Sequence, residues 1–163
     1  MGKLVFNDFE VDVPANWQDQ GMVTLTMPSP DPNVRPNIII TKERLAQEVD
    51  LATYFEKIKQ SVQSRGIESF KIVSEKDVSL SGVTAKMMIC SWDLSAMKQM
   101  MGPKGGNLEH IKPGQMVQQI QVSCIRGPVA INLTASFPAE QFELYSRPFM
   151  QFIKGFKFNE VSE

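Results

Sequence analysis

Two pairs of strand-like runs are each joined by only two turn residues, and that spacing predicts antiparallel pairing. Phe70 to Leu80 is followed at once by Ser81-Gly82 and then by Val83 to Trp92. A two-residue link that contains glycine reverses the chain and sets the flanking strands side by side. Gln115 to Arg126 and Val129 to Phe137 repeat the arrangement around Gly127-Pro128, a pair suited to a turn. Upstream, residues 4 to 13 alternate loosely and stop at Pro14, which predicts one opening strand. Met22 to Met27 predicts a short strand, ended by the prolines of Pro28-Ser29-Pro30-Asp31-Pro32. Asn37 to Thr41 contains Ile38-Ile39-Ile40, a run that favours a strand apolar on both faces.

Helical periodicity occurs in two places. Asp50 can cap a helix over residues 51 to 65 and Gly66 can end it. Leu51, Phe55, Ile58 and Val62 then form one apolar stripe. A second helical stretch starts near Pro138, and Pro148 predicts a kink or a new start within it. Phe149, Phe152, Phe156 and Phe158 supply core aromatics at the end. The order βββ-α-ββ-ββ-α has no alternating βαβ units, so it predicts an α+β fold with helices packed on an antiparallel sheet. At 163 residues the chain fits one domain, residues 1–163. Gly102-Pro103-Lys104-Gly105-Gly106 and Pro113-Gly114 predict a long flexible loop over residues 96–114.

The composition narrows function by exclusion. The formal net charge is -1 with scattered Lys and Arg, which argues against nucleic acid as a partner. No run reaches the ~20 apolar residues of a membrane span. Acidic residues follow closely on the N-terminus, so no signal peptide is predicted and a cytoplasmic location is expected. Cys90 and Cys124 lie in apolar runs and read as reduced, buried thiols. His110, the single histidine, stands in the long loop without a cysteine or carboxylate cluster. The glycine-rich loop lacks the Gly-Lys-Ser/Thr ending of a phosphate cradle. The expectation is a protein that is not an enzyme and takes no cofactor and no metal.

Two features favour binding. Ten methionines include Met97, Met100 and Met101 just before the glycine loop; they read either as loop-anchoring core contacts or as an adaptable apolar surface. Along the strand from Gln115, Met116, Gln118, Ile120, Val122 and Cys124 share one face, and Gln115, Val117, Gln119, Gln121 and Ser123 the other. That second face reads either as plain solvated surface or as a row that satisfies polar groups of a docked segment.

Phe9-Glu10-Val11-Asp12-Val13-Pro14, then Trp17, Asp19 and Pro28, resembles the opening of the DcrB-related family, which has the PsbP-like fold. Asn37-Ile38-Ile39-Ile40-Thr41-Lys42-Glu43, Tyr54, Leu80-Ser81-Gly82-Val83 through Trp92, Gly127-Pro128 and Phe156-Lys157-Phe158 resemble its later blocks. The loop from Ala96 to Gly114 departs from that pattern by its length. The signal-free branch resembles the Eag effector-associated chaperones of bacterial type VI secretion. The resemblance implies an antiparallel sheet of about six or seven strands with helices on one side and a concave groove on the other, commonly within a homodimer. It implies as partner the hydrophobic N-terminal segment of a secreted effector, with no membrane insertion of the chaperone itself. The groove residues it implies are Met22, Thr24, Ile39, Ile58, Ile67 and Gln121, with ordinary core as the alternative for Ile39 and Ile58. The rival expectation is a PsbP-like structural or scaffold module that binds a folded protein or a small ligand.

Overall fold

The computed structural model describes residues 2–5, 8–17, 21–32, 35–67, 69–93 and 116–159. The long loop over residues 96–114, with His110 and the methionine cluster, lies outside the described residues. Where one opening strand is predicted there are two, β1 (Gly2–Val5) and β2 (Glu10–Val13), paired as a separate antiparallel ribbon.

The remaining strands are β3 (Val23–Thr26), β4 (Asn37–Arg44), β5 (Lys71–Leu80), β6 (Val83–Asp93), β7 (Met116–Arg126) and β8 (Val129–Pro138). They form one six-stranded antiparallel sheet in the order β3-β4-β8-β7-β6-β5. Both predicted hairpins are present. Ser81 and Gly82 have φ of 52° and 79°, the left-handed pair that matches the twist of a two-residue hairpin. β4 runs past the predicted end at Thr41 because β8 continues to pair with it as far as Arg44.

Helix α1 (Leu51–Gln63) starts at the predicted cap, where the Thr53 backbone N–H donates to Asp50 Oδ1 at 2.7 Å. That bond holds the Asp50 carboxyl below its ordinary range. Pro138 ends β8, a short 3-10 turn spans Ala139–Gln141, and α2 (Phe142–Lys154) follows. One helix runs through Pro148 without a new start. Pro148 is exposed, so its ring lies at the surface, where the loss of one helical N–H is best tolerated.

Alternation along β6 divides the core. Ala85 and Met87 pack with Ile120, Val122, Leu133 and Phe137 beneath Tyr145, Phe149 and Ile153 of α2. Met88, Cys90 and Trp92 pack beneath Phe55 of α1, with Ile58, Val62, Ile67 and Phe70 around them. Successive strand residues point to opposite faces, so α1 and α2 lie on different faces of the sheet. Burial of Tyr145, Phe149 and Ile153 contributes roughly 1.5–3 kcal/mol per side chain. Cys90 and Cys124 are free and fall in different halves of this core.

Candidate functional site

The α1 face of the sheet carries a polar band in an apolar setting. Strand register places Thr24, Ile39, Thr134, Gln121 and Met88 in one row across five strands. Asn37, Ser136, Gln119 and Cys90 form the next row on one side. Thr41, Asn132, Ser123 and Lys86 form the row on the other.

Hydrogen bonds tie these rows together. Thr134 Oγ1 donates to Gln121 Oε1 at 2.8 Å. Gln121 Nε2 donates to Asn132 Oδ1 at 3.4 Å and to Ser123 Oγ at 3.5 Å. Ser123 Oγ also donates to Asn132 Oδ1 at 2.6 Å. Asn132 Nδ2 donates to the Tyr54 hydroxyl at 2.8 Å, and that hydroxyl donates to Glu43 Oε2 at 2.8 Å. Every donor in this chain points the same way, from Thr134 toward the Glu43 carboxylate. Burial is the main cause that pushes the Tyr54 phenol up to about 12. Gln119 Nε2 donates separately to Ser136 Oγ at 3.2 Å.

Helix α1 covers only part of this face. Its Phe55 sits on Met88, Cys90 and Trp92, and Tyr54 reaches Asn132 and Glu43. Toward β3, Ile39, Thr134, Ser136 and Gln119 are half-buried and Thr24 is exposed. Among the described residues no helix overlies that part. The result is a shelf with α1 as wall, a mixed polar and apolar floor, and β3 as its open lip. A cleft of about 470 Å3 on the β4 side of α1 is lined by Glu43, Leu45, Val49, Tyr54, Lys57 and Ile58.

Three of the predicted groove residues, Thr24, Ile39 and Gln121, therefore share one row. Met22 stands just before β3 and is 67% exposed. Ile58 and Ile67 are partly buried against the Phe55–Trp92 cluster, so they form the wall and its packing. Gln121 is buried, and its amide is engaged within the sheet. It positions the floor, where the sequence reading assigns it to a docked segment. Sequence reasoning placed Ser123 on this face and missed the parts played by Tyr54, Glu43, Asn132 and Thr134. The available signal was the alternation of Asn132, Thr134 and Ser136 along β8, opposite Ser123, Gln121 and Gln119. Neither thiol is poised as a nucleophile, since burial pushes Cys90 and Cys124 up to about 11.

No curated protein matches the chain in sequence. Among solved structures, PA94 of Pseudomonas aeruginosa, a protein of unknown function, is similar at a TM-score of 0.72 and 15% identity, with 99% of each chain covered. LpqN of Mycobacterium tuberculosis, which is involved in cell envelope biogenesis, is similar at a TM-score of 0.53 and 15% identity, over 88% of this chain and 79% of that one. A cyanobacterial PsbP from Synechocystis sp. PCC 6803 matches at a TM-score of 0.46 and 7% identity, over 94% and 88%. At these identities the likeness is one of fold. Residues 10–102 match the DcrB family model, and the chain belongs to the DcrB family.

Proposed function

We propose that this chain is a non-catalytic cytoplasmic chaperone that, as a homodimer, holds the apolar N-terminal helices of a type VI secretion effector. The observation that carries the reading is the shelf beside α1: a hydrogen-bonded polar floor, set among Ile39, Met88 and Tyr54, with no helix over its β3 side among the described residues. An apolar helix in water exposes surface worth roughly 25 cal/mol per Å2, which a half-apolar floor covers in part. Membership of the DcrB family is consistent with the reading without specifying the client.

The test is co-expression with a tagged fragment of apolar effector helices. The proposal expects the fragment to remain in the soluble fraction and to co-purify with this chain. A fragment that aggregates equally with and without the chain contradicts it.

A further inference from the structure

We propose that the cleft between α1 and the end of β4 is a binding site for a small amphiphilic carboxylate. Its head group lies between Arg44 and Lys57, and its apolar stem lies along Leu45, Val49 and Ile58. The two flanks of α1 differ in how their charges are used. Toward β5, Lys59 sits between Glu56 and Glu75 at 2.7 and 2.8 Å, and Lys86 reaches Asp77 at 2.9 Å. Those cations are neutralised within the fold. Toward β4, the cleft of about 470 Å3 carries Arg44 and Lys57. Among the described residues neither side chain has an ion-pair or hydrogen-bond partner. Glu43 is the only carboxylate on the described lining, and it already accepts from the Tyr54 hydroxyl at 2.8 Å.

The chemistry of the occupant follows from this balance. Two cations against one carboxylate leave a surplus of one positive charge, which suits a monoanion. A phosphate monoester carries about −1.5 to −2 at neutral pH and exceeds that surplus. The guanidinium of an arginine presents a fork of N–H donors that matches a carboxylate. Leu45, Val49 and Ile58 are half-buried and leave apolar surface for a short stem. An apolar lining with a few polar groups is the usual make-up of a small-ligand pocket. The connection that carries Leu45 and Val49 is tethered at both ends. The Leu45 N–H donates to the Pro128 carbonyl at 2.8 Å, and Asp50 caps α1. The cleft is therefore formed before a ligand arrives.

Titration of the isotope-labelled full chain with octanoate, read by amide chemical shifts, tests the site. Octanoate is expected to shift the amides of residues 44–49 and 54–61 saturably, and acetate and octylammonium at the same concentration are not. A variant with Arg44→Gln and Lys57→Gln is expected to bind octanoate about tenfold more weakly. Its melt is expected to stay put, because both side chains are exposed and unpaired. If the double variant does not fold, Lys57→Gln alone decides, with an expected loss of about threefold. The absence of a saturable shift overturns the site. Equal binding of octylammonium, shifts confined to the rows around Gln121, or undiminished binding by the variants overturn it too. Tighter binding of octyl phosphate overturns the carboxylate head. Octanoate binding is expected whether or not the effector fragment is captured, so the site stands apart from the chaperone reading.

Discussion

Replacement of Tyr54 by phenylalanine removes one oxygen and leaves the buried ring in place. That oxygen accepts from Asn132 Nδ2 and donates to Glu43 Oε2, both at 2.8 Å. The bond to the carboxylate is of the charged kind, worth about 1.5–3 kcal/mol, but Glu43 is exposed and recovers much of it from water. Asn132 is half-buried, and its stranded amide N–H costs about 1–3 kcal/mol. The two effects together give a loss of about 2 kcal/mol. For a chain of this size that lowers Tm by about 4–8 °C. Glu43→Gln keeps an acceptor for the hydroxyl and is expected to cost less than half as much. Urea unfolding with matched slopes measures both changes. A Tyr54→Phe loss below about 0.5 kcal/mol, the range of an ordinary surface change, refutes the claim that this hydroxyl locks α1 to the polar rows.

Three further outcomes follow from the same geometry. Phe149→Ala deletes a fully buried ring that α2 presses onto the sheet and is expected to cost about 3–5 kcal/mol, read by thermal unfolding. Gln121→Leu removes the acceptor of Thr134 and a donor to Asn132, so it is expected to lower stability by about 1–3 kcal/mol even without a client; an unchanged melt contradicts the internal role given to that amide. Alkaline titration is expected to destabilise the fold. Cys90 and Cys124 rise from 9.0 to about 11 on folding, so the unfolded chain loses these protons first. Their contribution is complete below pH 9 and declines as pH rises through 11, by on the order of 2 kcal/mol per thiol, and a Cys90→Ala, Cys124→Ala variant is expected to flatten that decline.

The parts of the fold governed by local chemistry were legible in the sequence. The two-residue links at Ser81-Gly82 and Gly127-Pro128, the Asp50 cap and the period-two split of β7 each depend on neighbours along the chain. The doubled opening strand was not legible, because residues 4 to 13 alternate as one run with no glycine or proline before Pro14 to divide it. The assignment of helices to faces depends on which residues of β6 each helix covers, a tertiary fact: Met87 and Met88 are adjacent and identical, yet they enter different cores. At the site, alternation placed Gln121 on the face it shares with Gln119 and Ser123. It did not reveal that Thr134, Ser123 and Asn132 engage its amide, since cross-strand partners follow from register alone. Tyr54 was visible only as a family-like residue, and nothing in its helix points to Asn132, 78 positions away.

Met22→Asp tests the central claim most directly. Met22 is 67% exposed at the lip of the shelf, so a carboxylate there remains hydrated in the free protein and the melt is expected to shift by less than about 2 °C, as for a surface substitution. Against a docked apolar helix the same carboxylate loses water without gaining a partner, a penalty of several kcal/mol. Co-purification of the apolar effector fragment is therefore expected to fall at least tenfold while the fold stays intact. Undiminished capture by Met22→Asp would contradict the assignment of this face as the client site, and a collapsed melt would show that Met22 serves the core.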